Sequence, residues 1–129
     1  MLARVDLGTS WKLGKSPMYL NAYTGFNKRT NDFSDEFRAG VEIGIQLLAE
    51  KLLVSGKLNV VESLKNGIPS GLNNTTSLFA NNAEFTAVTI ELAYSIQKNW
   101  GVSVGNSIPL RGENVFSNPA YSVGVFWKI

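Results

Sequence analysis

The chain has 129 residues, enough for one domain at most, with Lys+Arg 12 against Asp+Glu 10 and a net charge of +2. That excess is too small and too evenly spread for a nucleic-acid footprint, so no nucleic-acid partner is expected. With no cysteine and no histidine, zinc sites of the usual kind, thiol nucleophiles and Ser–His–Asp triads are excluded within the chain, and no metal or cofactor is expected.

Seven segments alternate apolar and polar residues with the period of two that gives a strand two unlike faces. The first, 2–13, sets Ala3, Val5, Leu7, Thr9, Trp11 and Leu13 against Arg4, Asp6, Gly8, Ser10 and Lys12. The second, 18–27, sets Met18, Leu20, Ala22, Thr24 and Phe26 against Tyr19, Asn21, Tyr23, Gly25 and Asn27. The third, 36–47, is the most regular: Phe37, Ala39, Val41, Ile43, Ile45 and Leu47 alternate with Glu36, Arg38, Gly40, Glu42, Gly44 and Gln46. The others are 52–62, 85–96 (with Val88, Ile90, Leu92 and Tyr94 against Thr89, Glu91 and Ala93), 100–108 and 121–129.

Connections alternate as well. Short ones fall at 14–17, 48–51 and 97–99, and longer ones at 28–35, 63–84 and 109–120. This asymmetry predicts an all-β, up-and-down antiparallel meander of the kind seen in outer-membrane barrels. A two-residue turn at Ala49 and Glu50 makes facing residues sum to 99, which places Glu42 opposite Lys57 and Ile45 opposite Val54. "TSLFA" (76–80) is a candidate eighth strand inside the 63–84 connection.

Alternation alone does not say which face is wet; three features point to lipid on the apolar side. The tryptophans Trp11, Trp100 and Trp127 sit at the short-turn ends, and Phe26, Phe37, Phe85 and Tyr121 gather at the long-loop ends. Two outward aromatic bands with aliphatics between them are the girdles of a membrane barrel. The polar face is rich in Gly and Ser, which suits the crowded inner side of a curved sheet better than a solvated face. Strands of nine to twelve residues match the roughly 9–11 that cross a bilayer at a tilt. Glu62 and Asn106 fall on the apolar face against this pattern. Glu62 lies near a rim, and Asn106 is an uncomfortable exception that a bulge or an early strand end would relieve.

The last nine residues, "YSVGVFWKI", resemble the C-terminal β-signal of bacterial outer-membrane β-barrel proteins. Ser122, Gly124, Trp127 and Ile129 fill its polar, glycine and two hydrophobic places, although a terminal Phe is commoner than Ile. The resemblance implies a bacterial outer-membrane location, a lipid bilayer around the chain and recognition by the barrel-assembly machinery. In texture the chain is similar to fatty-acid-transporter-like and phenol-degradation-transporter-like channels. Single-chain bacterial barrels of this class have even strand numbers. Seven strands therefore imply an unrecognised strand, or strands from absent sequence or another copy, with the chain as the C-terminal part of a larger barrel. "MLARVDLGTSW" is no signal peptide, because Arg4 and Asp6 interrupt any apolar stretch.

Function follows from the face assignment. An outer-membrane channel or passive transporter for small solutes would be lined by Arg4, Asp6, Lys12, Tyr19, Tyr23, Arg38, Glu42, Lys57 and Glu91. The plainer alternative for these nine is an interior network that fills a small barrel. A soluble barrel enclosing an apolar ligand is the competing function; a membrane enzyme is not expected, because barrel hydrolases use histidine. The glycines of "GVSVGNS" alternate on a strand with no helix after them, so they form no phosphate loop. "NNTTS" and "NKRTND" are expected to be exposed, solvated loops.

Overall fold

The computed structural model describes residues 1–29, 33–65, 84–113 and 118–127. It is all-β: β1 (Leu2–Leu13), β2 (Ser16–Asn27), β3 (Glu36–Leu47), β4 (Leu52–Ser63), β5 (Glu84–Ser95), β6 (Trp100–Glu113) and β7 (Ala120–Trp127). These form one up-and-down sheet in the order β1-β2-β3-β4-β5-β6-β7, with each strand antiparallel to the next. The sheet is not closed, and β1 and β7 are its edges. Since direction alternates over an odd number of strands, β1 and β7 run the same way.

The register follows the alternation. Across β3 and β4 facing residues sum to 99, so Glu42 stands opposite Lys57 and Ile45 opposite Val54. The turn itself is longer than a two-residue loop, because the ladder stops at Leu47 and Leu52. Leu48, Ala49 and Glu50 then take φ of 51, 54 and 68°, a left-handed run that non-glycine residues seldom adopt. At the β1–β2 turn Gly14 supplies the positive φ, at 63°.

β6 runs five residues past the predicted end at 108, to Glu113. Pro109 suggested a loop, since proline cannot donate to a ladder. The strand accommodates it beside a bulge: Ala87 pairs with Pro109 and Thr86 with Arg111, which leaves Leu110 as the extra residue. The bulge therefore falls past Asn106 and does not relieve it. Asn106 stays in the ladder between Ile90 and Tyr121, and its Oδ1 is buried with no hydrogen-bond partner. β4 pairs directly with β5, so no strand stands between them; residues 76–80 lie outside the described residues, as does Ile129.

Burial is inverted relative to a water-soluble sheet. Val61 is the one buried hydrophobic among the described residues, whereas Glu36, Ser55 and Ser63 on the polar face are buried. Leu7 (73% exposed), Ile43 (46%), Ile90 (52%), Val104 (47%) and Val125 (74%) stand open on the other face. In the inner strands the face of small and polar residues is the more covered one, so the sheet curls toward it, whereas the edge strand β1 is exposed on both faces.

Candidate functional site

The polar face is built in tiers, one residue from each strand, because direct partners on neighbouring strands share a face. One tier passes from Asp6 through Tyr23, Gly40 and Asn59 to Ala87. Another passes through Ser10, Tyr19, Gly44, Ser55, Glu91 and Gly105 to Ser122. In each, a tyrosine ring lies across the glycine of the next strand. A Cβ on Gly40 would overlap the Tyr23 ring, and one on Gly44 would overlap the Tyr19 ring. Phe126 lies over Gly101 in the same way. Glycine here gives a large flat ring room to lie down inside a narrow face, and the ring covers the backbone that glycine leaves bare.

Those rings place hydroxyls on neighbouring strands. The Tyr19 hydroxyl donates to Glu42 Oε1 at 2.5 Å, and Glu42 also pairs with Lys57, Nζ to Oε2 3.5 Å. The Tyr23 hydroxyl donates to Asn59 Oδ1 at 2.9 Å. Above Tyr23, the Arg4 guanidinium stacks 3.8 Å from the ring centroid, and its Nε donates to Asp6 Oδ2 at 2.9 Å. Toward the long loops Glu36 accepts from Arg29 Nη1 at 2.7 Å, Arg38 Nη2 at 2.8 Å and Asn27 Nδ2 at 3.2 Å. A buried carboxylate held by two arginines and an amide is fully paired, as a charge away from water must be.

Of the nine lining residues predicted from the sequence, the structure joins Tyr19, Glu42 and Lys57 into one cluster and Arg4, Asp6 and Tyr23 into a second. Arg38 belongs to a third, around Glu36. Lys12, opposite Pro17 near the end of the β1 edge, and Glu91, in the same tier as Tyr19 and opposite Ser55 and Gly105, form no ion pair with any of the three. Sequence reasoning did not assign Asn59, Glu36 or Arg29 to the site. Arg29 was placed in a solvated loop, yet its side chain turns back onto Glu36 and stacks on Phe33, 4.6 Å from the ring centroid. The tyrosine–glycine pairs could have been found, since Tyr19 with Gly44 and Tyr23 with Gly40 both sum to 63.

On the apolar face Trp100 and Trp127 stand directly opposite each other at the short-turn end, and Trp11 faces Met18 there. Phe26 faces Phe37 at the other end, both about two-fifths exposed, and Tyr121 is 79% exposed. Phe85 departs from the expected band. It stands opposite Val61, which itself faces Arg38, so it belongs to the polar face. The reason is phase: Phe85 is odd-numbered in a strand whose outward residues, Val88 to Tyr94, are even.

The bulge accounts for the other exception. By shifting the register it puts Arg111 opposite Thr86, on the side of Val60. There Arg111 reaches Glu62 at 3.5 Å and Glu84 at 3.6 Å, while Lys65 reaches Glu84 at 3.5 Å. Glu62 thus belongs to an ionic cluster at the long-loop rim. In β7, Ser122 faces Gly105 and Gly124 faces Ser103 on the polar side, with Trp127 outward.

Among the described residues no group of acids is placed to hold a metal. No family model, curated protein or solved structure matches the chain.

Proposed function

We propose that this sheet is the wall of a bacterial outer-membrane β-barrel, apolar face to lipid and polar face to the lumen, acting as a channel or passive transporter for small solutes. The observation that carries the reading is the inverted burial. An apolar face left largely open, over a polar face whose charges are mostly paired, is stable where the outside solvent is hydrocarbon. A soluble barrel with an apolar ligand would need those aliphatic side chains enclosed, and Leu7, Ile90, Val123 and Val125 are each more than half exposed.

Dimensions support it. Twelve residues, the length of β1 to β5, span about 40 Å at ~3.3 Å per residue. At a tilt of about 40° that covers the roughly 30 Å hydrocarbon core. The Trp100–Trp127 pair and the Phe26–Phe37 pair then lie near opposite interfaces, and the Glu62–Arg111–Glu84 cluster sits at the outer rim. In this reading β7 is the strand presented to the assembly machinery. Closure requires β1 and β7 to find strand partners, because bare backbone groups cost several kcal/mol each in hydrocarbon. Joined to each other they would pair parallel, whereas one further strand, or any odd number, would keep every ladder antiparallel.

The test is reconstitution. The refolded chain mixed with phospholipid vesicles and spun through a density gradient is expected to float with the lipid, resist alkaline carbonate wash and release an entrapped small solute. A chain that stays folded and monomeric in plain buffer and sediments away from vesicles would contradict the proposal.

A further inference from the structure

We propose that the polar face carries a binding site for an organic cation, an ammonium on a small apolar body, between Glu91 and Phe126. The inference rests on the lumen reading above and names a solute class for it.

The first observation is a charge without a partner. Asp6 is held by Arg4, Glu36 by Arg29 and Arg38, Glu42 by Lys57, Glu62 by Arg111, and Glu84 by Lys65 and Arg111. Among the strand carboxylates whose side chains are described, Glu91 alone has no cation within ion-pair distance. It is half-buried, flanked by Ser55 and Gly105. A carboxylate on a covered face favours a cation beside it far more than one in bulk water does.

The second observation is space beside that charge. A cavity of about 350 Å³ opens on the polar face at the short-turn end, reaching from Glu91 to Phe126. Ala93, Ser95 and Ser103, which line it, are small and leave the space open. Leu53 and the Phe126 ring give it apolar walls, and Gln46 adds an amide. Glu50 and Lys51, exposed and opposite in sign, also line it, so their charges offset and Glu91 sets its net sign. The Phe126 ring lies over Gly101, which sets it as an apolar wall for the body of the ligand.

An anion of the same shape meets the wrong charge. The site therefore discriminates by sign and not by size alone, which supplies the test. The full chain, refolded in detergent micelles, is titrated calorimetrically with 2-phenylethylammonium and with 3-phenylpropionate, which differ mainly in charge; protein-free micelles give the blank. Saturable binding of the ammonium and none of the carboxylate is expected. Glu91→Gln, nearly isosteric, should weaken the ammonium at least about tenfold, the usual scale for a charge-assisted contact. Ser103→Leu, which fills the cavity, should do the same. Equal binding of both ions, or undiminished binding by Glu91→Gln, overturns the site; should Ser103→Leu fail to fold, Glu91→Gln decides alone. Vesicle flotation is scored separately. A chain that discriminates the ions yet stays out of vesicles supports the site and overturns the membrane reading. One that floats and does not discriminate overturns the site alone.

Discussion

At the scale of single residues, the glycines of the polar face have different jobs that a composition count merges. Gly40 and Gly44 are seats for Tyr23 and Tyr19, and an added methyl would drive each ring off its position. The Tyr19 ring carries the hydroxyl that bonds Glu42, and the Tyr23 ring underlies Arg4, so displacement breaks polar contacts as well. Gly56, on the opposite face, has nothing within 4 Å of where a Cβ would stand. Gly44→Ala and Gly40→Ala are each expected to destabilise the refolded protein by about 1–3 kcal/mol, the range for overpacking. Gly56→Ala is expected to be neutral or to stabilise by up to about 1 kcal/mol, through the lost freedom of the unfolded chain. Urea unfolding in micelles, followed by tryptophan fluorescence, measures all three. Equal effects at the three sites would show that the rings do not rest on these glycines.

At the scale of the strand pair, β3 and β4 show how much the sequence could say. A sum of 99 follows from the parity of both strands once a turn near Ala49 is assumed, and the ladder keeps that sum although the turn is longer. Parity survives because adding one residue to each side of a turn leaves every facing pair intact. The same logic failed in β6, where one extra residue on one strand only, Leu110, moved Arg111 to the other face. A bulge has no periodicity of its own, and Pro109 advertised a loop instead. Phe85 differs for a simpler reason: a place near a strand end suits an aromatic band, but its odd number turns it to the polar face. The Glu42–Lys57 pair offers the element-scale measurement. Both side chains are about one-third exposed and 3.5 Å apart, so the coupling is that of a screened cross-strand pair. A double-mutant cycle with Glu42→Gln and Lys57→Met is expected to return about 0.2–1 kcal/mol. It should shrink in 0.5 M salt; zero coupling at low salt would contradict the register's electrostatic role.

At the scale of the whole molecule, the fold class and the two faces were legible because period-two alternation is a local property that each strand repeats. The site was legible only in part. Which polar residues share a face follows from parity, but which of them touch depends on register across several strands and on side-chain reach. Arg29 shows the limit, since nothing in "NKRTND" says that a loop arginine folds back onto Glu36, seven residues along the chain. The central claim is that the face with Val41, Ile43 and Ile45 meets lipid and the face with Gly40, Glu42 and Gly44 meets the lumen. Nitroxide labels placed singly at positions 41, 42, 43, 45 and 46 of the vesicle-bound chain, which leave the two glycine seats untouched, measure this most directly. Collision rates with apolar oxygen and with a water-soluble nickel chelate should follow a period of two, oxygen favoured at 41, 43 and 45 and the chelate at 42 and 46. The opposite phase, or high chelate access at all five, would contradict the account.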